Sequence, residues 1–159
     1  MTDTPAFLAE RLRAEGEKTL DFFRALSPEH WTLELYTDGS CWTVRQLLAH
    51  FVATEAGFQN LIENILSEGP GAPEDFDINR YNERKVASLQ EFSVSNLLAQ
   101  FAEGRRGSIR LVEGMHAEDL LRTGRHPFLG VVPLEEIVKL LYRHNQIHQR
   151  DVRRRIATP

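Results

Sequence analysis

The sequence predicts an all-α protein: a four-helix bundle in which a long crossover connection joins the second helix to the third. Two observations favour this fold. Apolar residues recur every three or four positions in four long stretches, as they do on one face of a helix. Period-two alternation is weak, and the Asp38-Gly39 pair lies in a polar loop rather than between apolar runs. The 159 residues are expected to form one domain, 1–159, and no internal repeat is found.

The first helix is expected to begin beside Thr4, which precedes a proline at the first helical position. It carries an apolar stripe and is expected to end at Ser27-Pro28, since proline cannot continue a helix. The segment 27–42 is then expected to be a loop.

The second helix has the clearest start. Thr43 and Gln46 have the spacing of a capping box, in which the two side chains satisfy free backbone N–H groups at the helix start. The helix is expected to end before Gly69-Pro70-Gly71. A long connection, 69–92, follows, and within it 79–89 could form a short helix.

The third helix is expected to begin near Ser93 or Ser95, and Gly104 and Gly107 weaken its middle. A loop over 116–132, which contains two glycines and a proline, is expected to follow.

Pro133 is expected to open the last helix. Two glutamates lie in its first turn, and the arginines at 153–155 lie in its last turn, so both ends complement the helix dipole. A solvated helix end is the favoured interpretation of the basic residues from Arg150 to Arg155, ahead of an anion site.

Two histidines interrupt the apolar face of the last helix. At about 100° per residue, His144 and His148 fall within the stripe, and their rings lie one turn apart. Two imidazoles at that spacing can chelate one metal ion. His50, at the edge of the second helix's apolar face, is a third candidate. If the second and last helices run antiparallel, the three rings lie at similar heights.

Spacing alone leaves a second interpretation open, in which these histidines are hydrogen-bonded packing residues. The other three histidines are expected in loops, with surface or capping roles; they are His30, His116 and His126. Asn145 stands where a His-Glu-x-x-His metalloprotease has its glutamate, so that mechanism lacks its base. Asp151, one turn beyond the last candidate ligand, could orient that imidazole or pair with an arginine.

The composition limits the classes of partner and compartment. A net charge of -4 does not favour nucleic-acid binding, because phosphate contacts need a basic surface. A single cysteine, Cys41, excludes an internal disulfide and suits a reducing compartment. No apolar run reaches the roughly 18 residues of a membrane span, and no signal peptide is recognised, so a cytoplasmic protein without membrane contacts is expected.

Three segments together resemble the DinB-like superfamily, which includes YfiT-type proteins and S-transferases that use mycothiol or bacillithiol. The segment 42–51, Trp-Thr-Val-Arg-Gln-Leu-Leu-Ala-His-Phe, is similar to the superfamily's second-helix motif. The segment 143–148, Arg-His-Asn-Gln-Ile-His, is similar to its last-helix motif, and Tyr81-Asn82-Glu83 also matches many members. Many members follow the last histidine with Gly-Gln, whereas Gln149-Arg150-Asp151 follows here.

The resemblance implies an antiparallel four-helix bundle that holds a divalent metal ion on His50, His144 and His148. Zn²⁺ or Ni²⁺ is expected, because imidazole ligands suit both. The implied function is that of a metal-dependent thiol S-transferase or related detoxification enzyme, which acts on a small electrophile with a low-molecular-weight thiol.

Three other functions stay open from the sequence: a metal-dependent hydrolase, a non-enzymatic stress-response bundle that binds metal or ligand, and an interaction bundle with structural histidines. No catalytic residue is assigned, and a homodimer is one assembly that such a bundle could form.

Overall fold

Four long helices and one short helix make up most of the chain. The structure is a computed structural model that describes residues 3–37 and 40–158. The Asp38-Gly39 pair, assigned to a loop from the sequence, lies outside the described residues. The protein is therefore all-α, as predicted, with the helices α1 Pro5–Arg24, α2 Val44–Leu66, α3 Ile78–Ser88, α4 Val94–Glu113 and α5 Leu134–Ala157.

Both segments that were predicted to be loops before a long helix contain short hairpins, so the loop predictions are wrong there. Each segment begins with one turn of 3₁₀ helix and continues as two four-residue antiparallel strands that lead directly into the next helix. Strands this short offer too few positions for period-two alternation to become visible in the sequence. The strands are β1 Glu34–Thr37, β2 Ser40–Thr43, β3 Thr123–His126 and β4 Gly130–Pro133.

The helix starts agree closely with the predicted capping residues. The Thr43 hydroxyl accepts a hydrogen bond from the Gln46 N–H at 3.2 Å, and the Thr43 N–H donates to the Gln46 amide oxygen at 2.8 Å. The α1 cap is Thr4, and of the two serines predicted for α4 the cap is Ser93. Pro133 is the N-cap of α5 and the last residue of β4, so this helix begins one residue later than predicted.

The apolar core has two parts, one at each end of the bundle. One contains the beginnings of α1 and α5 and the ends of α2 and α4; the other contains the opposite halves of the same helices. Among the long helices that pack together, α2 therefore runs parallel to α4 and α1 parallel to α5. The expected antiparallel arrangement is found for α2 with α5 and for α1 with α4. The crossover from α2 to α4 returns the chain to the same end, and it contains α3, the short helix predicted within it.

The element order repeats, although no repeat is visible in the sequence. A helix, a 3₁₀ turn, a hairpin and a second helix occur in α1–α2 and again in α4–α5. The backbone N–H that opens each second helix bonds in the same way, Val44 to the Leu33 carbonyl at 2.9 Å and Leu134 to the Arg122 carbonyl at 2.8 Å. The bundle is thus built from two similar halves, each of which delivers one long helix to the α2–α5 contact.

The described helices include none that is long and apolar enough to cross a membrane. The basic end of α5 packs on the protein surface: the Arg153 guanidinium lies 4.8 Å from the centroid of the Phe22 ring, and Arg155 donates to the Glu34 carbonyl at 3.2 Å.

Candidate metal centre

The antiparallel contact between α2 and α5 brings the three predicted histidines together. His50 lies near the start of α2, and His144 and His148 lie one turn apart in the middle of α5. The Nε2 atoms of His50 and His144 are 3.0 Å apart, and those of His148 and His144 are 3.1 Å apart. All three ligand atoms lie within 4.8 Å of one another. The three rings therefore lie at similar heights, as expected for antiparallel helices, and their role as metal ligands stays a prediction.

Two of the three nitrogen pairs have the spacing of ligands around one metal ion. Two imidazole nitrogens bound to Zn²⁺ at about 2.0–2.1 Å each are about 3.0–3.4 Å apart. Hydrogen bonds among the rings cannot serve all three nitrogens equally, because a neutral imidazole has one N–H and one lone pair. A cation that accepts three lone pairs would satisfy the whole set.

The outer nitrogens of two rings are a separate feature, because an ion on the Nε2 atoms would leave each Nδ1 as an N–H donor that still needs an acceptor. The Nδ1 atoms of His50 and His144 are buried and have no hydrogen-bond partner among the residues that the structure describes. A buried polar atom without a partner costs about 1–3 kcal/mol, so folded proteins rarely keep one without a reason. Hydrogen bonding within the chain alone does not explain why these rings are here.

The environment keeps the imidazoles neutral. Burial, and secondarily the neighbouring His148, lowers the pKa of His50 to about 3. Burial also lowers the pKa of His144 well below its ordinary value, with smaller contributions from His50 and His148. Because a metal binds the neutral imidazole, these two side chains are held in the form that a metal needs.

Aromatic rings and one carboxylate surround the three histidines. The Trp42 ring lies 4.8 Å from that of His50, and the Phe51 ring lies 5.6 Å from that of His144. The Asp151 carboxylate lies 3.7 Å from Nδ1 of His148. Of the two roles left open for Asp151, the structure thus favours the one beside the imidazole.

A buried ion pair next to the histidines was missed in the sequence. Arg105 on α4 is 3% exposed, and Glu55 on α2 is 1% exposed. The guanidinium donates to one Glu55 oxygen from Nη2 at 2.7 Å and from Nε at 3.1 Å. It also donates to the Asn145 side-chain oxygen on α5 at 2.6 Å. In the sequence, Asn145 was noted only because it replaces the glutamate base of a metalloprotease. In the structure, its side-chain oxygen is a hydrogen-bond acceptor for Arg105.

A signal for this ion pair was present in the sequence. Each long helix has one residue of the network twelve positions after its N-cap, in the middle of the bundle. On α1 this residue is Gly16, where a Cβ atom would lie 2.9 Å from the Arg105 Cγ atom, so the glycine makes room for the arginine. The four residues are Gly16, Glu55, Arg105 and Asn145.

The remaining histidines have capping or surface positions. His30 Nδ1 accepts a hydrogen bond from the Ser27 N–H at 3.1 Å, and His116 is exposed. His126 also caps a turn, because its Nδ1 accepts from the N–H groups of Phe128 and Leu129 at 3.0 and 3.2 Å. It is however buried within β3 rather than in a loop, and burial lowers its pKa to about 4.

The sequence profile of the DinB superfamily matches residues 11–152. The chain belongs to this superfamily. No curated protein matches it in sequence. The match includes all three histidines of the site, the whole of α2 and α4 and most of α1 and α5, and it confirms the resemblance noted from the sequence.

Solved structures share the fold at low sequence identity. YfiT from Bacillus subtilis, a proposed metal-dependent hydrolase with an unusual four-helix bundle topology, is 19% identical with a TM-score of 0.76, over 95% of this chain and 85% of that chain. The colibactin self-resistance protein ClbS, solved in complex with double-stranded DNA, is 11% identical with a TM-score of 0.72, over 97% and 98%. A mycothiol-dependent maleylpyruvate isomerase is 16% identical with a TM-score of 0.70, over 94% of this chain and 63% of that chain.

Proposed function

We propose that the protein binds one divalent metal ion through the Nε2 atoms of His50, His144 and His148. The observation that carries the proposal is the convergence of the three Nε2 atoms, with that of His144 3.0 Å from that of His50 and 3.1 Å from that of His148. Zn²⁺ or Ni²⁺ suits three imidazole ligands best.

We further propose that the protein is a metal-dependent enzyme, a thiol S-transferase or related detoxification enzyme that acts on a small electrophile. An ion held by three protein ligands has open coordination positions. A thiol or water molecule that occupied one of these positions would have a lowered pKa. The mycothiol dependence of the structurally similar isomerase supports a low-molecular-weight thiol as the cosubstrate.

The chain's own residues suit this chemistry. His50 and His144 are kept neutral by burial, so they present lone pairs rather than protons to the site. The rings of Trp42 and Phe51 exclude water beside them, which strengthens electrostatic interactions inside the site. The Asp151 carboxylate can orient the His148 ring from its outer side.

Hydrolysis is the second candidate, because the similar YfiT is a proposed metal-dependent hydrolase. A metal hydrolase normally needs a general base close to the bound water. In the described part of the chain, the group of potential ligands at this site consists of three histidines without a carboxylate, and Asp151 lies on the outer side of one ring. An ion bound here would ionise water as well as a thiol, so the thiol is preferred because of the mycothiol dependence of the similar isomerase and not because of the donor set.

The partners and assembly stay predictions. A net charge of -4 favours a small-molecule substrate over nucleic acid, although the similar ClbS was solved with DNA. A single domain over 1–159, a cytoplasmic location and a homodimer are also predictions, as is a role in stress response.

Metal analysis of protein purified without a histidine tag tests the site. We expect one Zn²⁺ or Ni²⁺ per chain, retained against dialysis and removed by a strong chelator. His144→Ala should abolish this content, whereas His116→Ala, at an exposed histidine, should not change it. A wild-type protein that binds metal no more tightly than the His144→Ala variant contradicts the proposal.

The cosubstrate is tested with Co²⁺ in place of the native ion, since its visible spectrum reports the ligands. A small thiol such as cysteine or cysteamine should add a sulfur-to-metal charge-transfer band, and the band should be absent in His144→Ala. If thiols leave the spectrum unchanged while hydroxide alters it near neutral pH, the hydrolase is the better assignment.

A further inference from the structure

One side chain touches all four long helices in the middle of the bundle. Arg105, on α4, donates to the Leu12 carbonyl on α1 at 3.1 Å, to Glu55 on α2 at 2.7 Å and to Asn145 on α5 at 2.6 Å. It also donates to the Leu141 carbonyl on α5 at 3.4 Å. The guanidinium therefore fixes α2 and α5 relative to each other from a third helix.

The partners of this arginine lie beside the histidines in the chain. Glu55 follows His50 by five residues on α2, or about 7.5 Å along the helix axis at 1.5 Å per residue. Asn145 directly follows His144 and precedes His148 by three residues on α5. The two helix segments that Arg105 joins are thus the segments that carry the three imidazoles.

The chain is built to admit this ion pair. A Cβ atom at Gly104 would lie 2.9 Å from the Glu55 Cβ atom, and one at Gly16 would lie 2.9 Å from the Arg105 Cγ atom. Glycine in a helix interior is less favourable than alanine, so glycine at both contact points has a steric reason. The second Glu55 oxygen accepts from the Ser108 hydroxyl at 2.7 Å, so both carboxylate oxygens have partners.

Stability is a weak explanation for such a pair. Apolar side chains of similar volume often replace a buried ion pair with no loss of stability, or with a gain. Fixed geometry is a better explanation at this place, because metal ligands must lie within about 0.2 Å of their ideal distances. Apolar contacts are not directional, whereas the guanidinium donates hydrogen bonds of fixed direction to both α2 and α5.

We propose that Arg105 is a positioning residue for the metal centre. It holds Glu55 and Asn145 together and thereby sets the separation of α2 and α5 at which the Nε2 atoms of His50 and His144 converge. The inference rests on the proposed metal site, and it adds a residue on α4, a helix that contributes no ligand.

The test replaces the network by apolar groups and measures metal binding separately from stability. In the variant with Glu55→Leu, Arg105→Met and Asn145→Leu, metal-free melting should be no lower than in the wild type. The Zn²⁺ dissociation constant, measured by competition with a chelator, should rise by about 10–100-fold, as when groups that orient metal ligands are removed. The visible spectrum of the Co²⁺ form should change as the coordination geometry relaxes.

Lys139→Met is the matched control. Lys139 lies on α5 five residues before His144 and pairs with Glu135 at 2.6 Å and with Asp3 at 3.0 Å, away from the α2 contact. Its replacement should leave the Zn²⁺ affinity and the Co²⁺ spectrum unchanged.

The outcomes separate this inference from the proposed function. If the triple variant folds and binds Zn²⁺ as tightly as the wild type, Arg105 does not position the site, and the metal proposal stands. If the wild type binds no metal, both proposals are wrong. Arg105→Lys covers the case in which the triple variant does not fold: a lysine cannot reach both side chains in the same geometry, so the affinity should fall, and wild-type affinity would overturn the inference.

Discussion

Two buried polar centres lie next to each other in this bundle, and the chain treats them differently. In the network around Arg105, both Glu55 oxygens and the Asn145 oxygen accept hydrogen bonds. In the histidine centre, nitrogen faces nitrogen, and the Nδ1 atoms of His50 and His144 have no partner among the described residues. The first centre is complete without any further group, whereas the second brings together lone pairs that the proposed metal ion would accept.

The two centres also differ in their charges. The Arg105–Glu55 pair brings opposite charges together, so neither charge is uncompensated in the core. The histidine centre brings like groups together, and protonation of one ring opposes protonation of the next, which adds to the burial that lowers the pKa values of His50 and His144. The arginine network therefore contains paired charges, whereas the rings of His50 and His144 stay neutral and keep lone pairs available.

Removal of one partner from the complete centre should have the largest effect on stability. Arg105→Met leaves the Glu55 carboxylate buried without its cation, and breaking a buried pair in this way costs about 3–5 kcal/mol. The free energy of unfolding should be measured by urea denaturation with chelator present. Arg106→Met, which removes an exposed pair with Glu103, should cost less than about 1 kcal/mol. A similar small loss for Arg105→Met would mean that the network is not a tight unit.

Removal of one ring from the incomplete centre should have the opposite pattern. In His50→Leu, an imidazole whose Nδ1 has no partner in the described chain gives way to an apolar side chain, so the metal-free protein should be unchanged or up to about 1–2 kcal/mol more stable. In the wild type, a free metal concentration of one hundred times the dissociation constant should stabilise the fold by about 2.7 kcal/mol, and this stabilisation should disappear in the variant.

Melting with and without chelator checks this prediction. The wild type should show a gap between the two conditions, and His50→Leu should show none. A variant that melts well below the metal-free wild type would identify His50 as a packing residue, the interpretation that spacing alone left open.

The histidine centre was predictable because its information lies along single helices. The four-residue spacing of His144 and His148 and the capping box at Thr43 fix ring direction and helix start from local sequence. The heights of the rings then follow from helix length, once α2 and α5 are antiparallel. The antiparallel arrangement itself was not read from single helices but was implied by the resemblance to the superfamily.

The network and the hairpins were not predictable in the same way. Arg105 meets Glu55 only because α2 and α4 pack in parallel through the crossover, and no local pattern reports which helices are neighbours. The hairpins depend on pairing between strands of four residues, as with Thr123 opposite Pro133. Gly104, which in sequence only weakens α4, makes sense once the Glu55 side chain beside it is known.

His126 is a third buried polar group. It is a histidine, like the residues of the histidine centre, but its Nδ1 atom has hydrogen-bond partners. Its Nδ1 atom accepts hydrogen bonds from the N–H groups of Phe128 and Leu129, so it has partners, as the groups of the arginine network do. Its ring is kept neutral by burial, as the rings of the histidine centre are. An asparagine at this position can offer an acceptor oxygen to the same two N–H groups but cannot titrate. His126→Asn should therefore fold and should bind metal like the wild type.

The two proteins should differ in acid. The pKa of His126 in the folded chain is about 4, below the unfolded value of about 6.5, so the unfolded state takes up the proton first as the pH falls. The stability associated with the neutral ring is thus complete above about pH 6.5 and is lost as the pH falls towards 4. Between pH 6.5 and 4.5 the variant should lose about 1 kcal/mol less than the wild type, after allowance for solvent screening. Urea denaturation at several pH values with chelator present measures the difference, in which the shared contribution of the metal-site histidines cancels. His116→Asn, at an exposed ring, should follow the wild type, and if His126→Asn does so too, the buried ring is not titrating in this range.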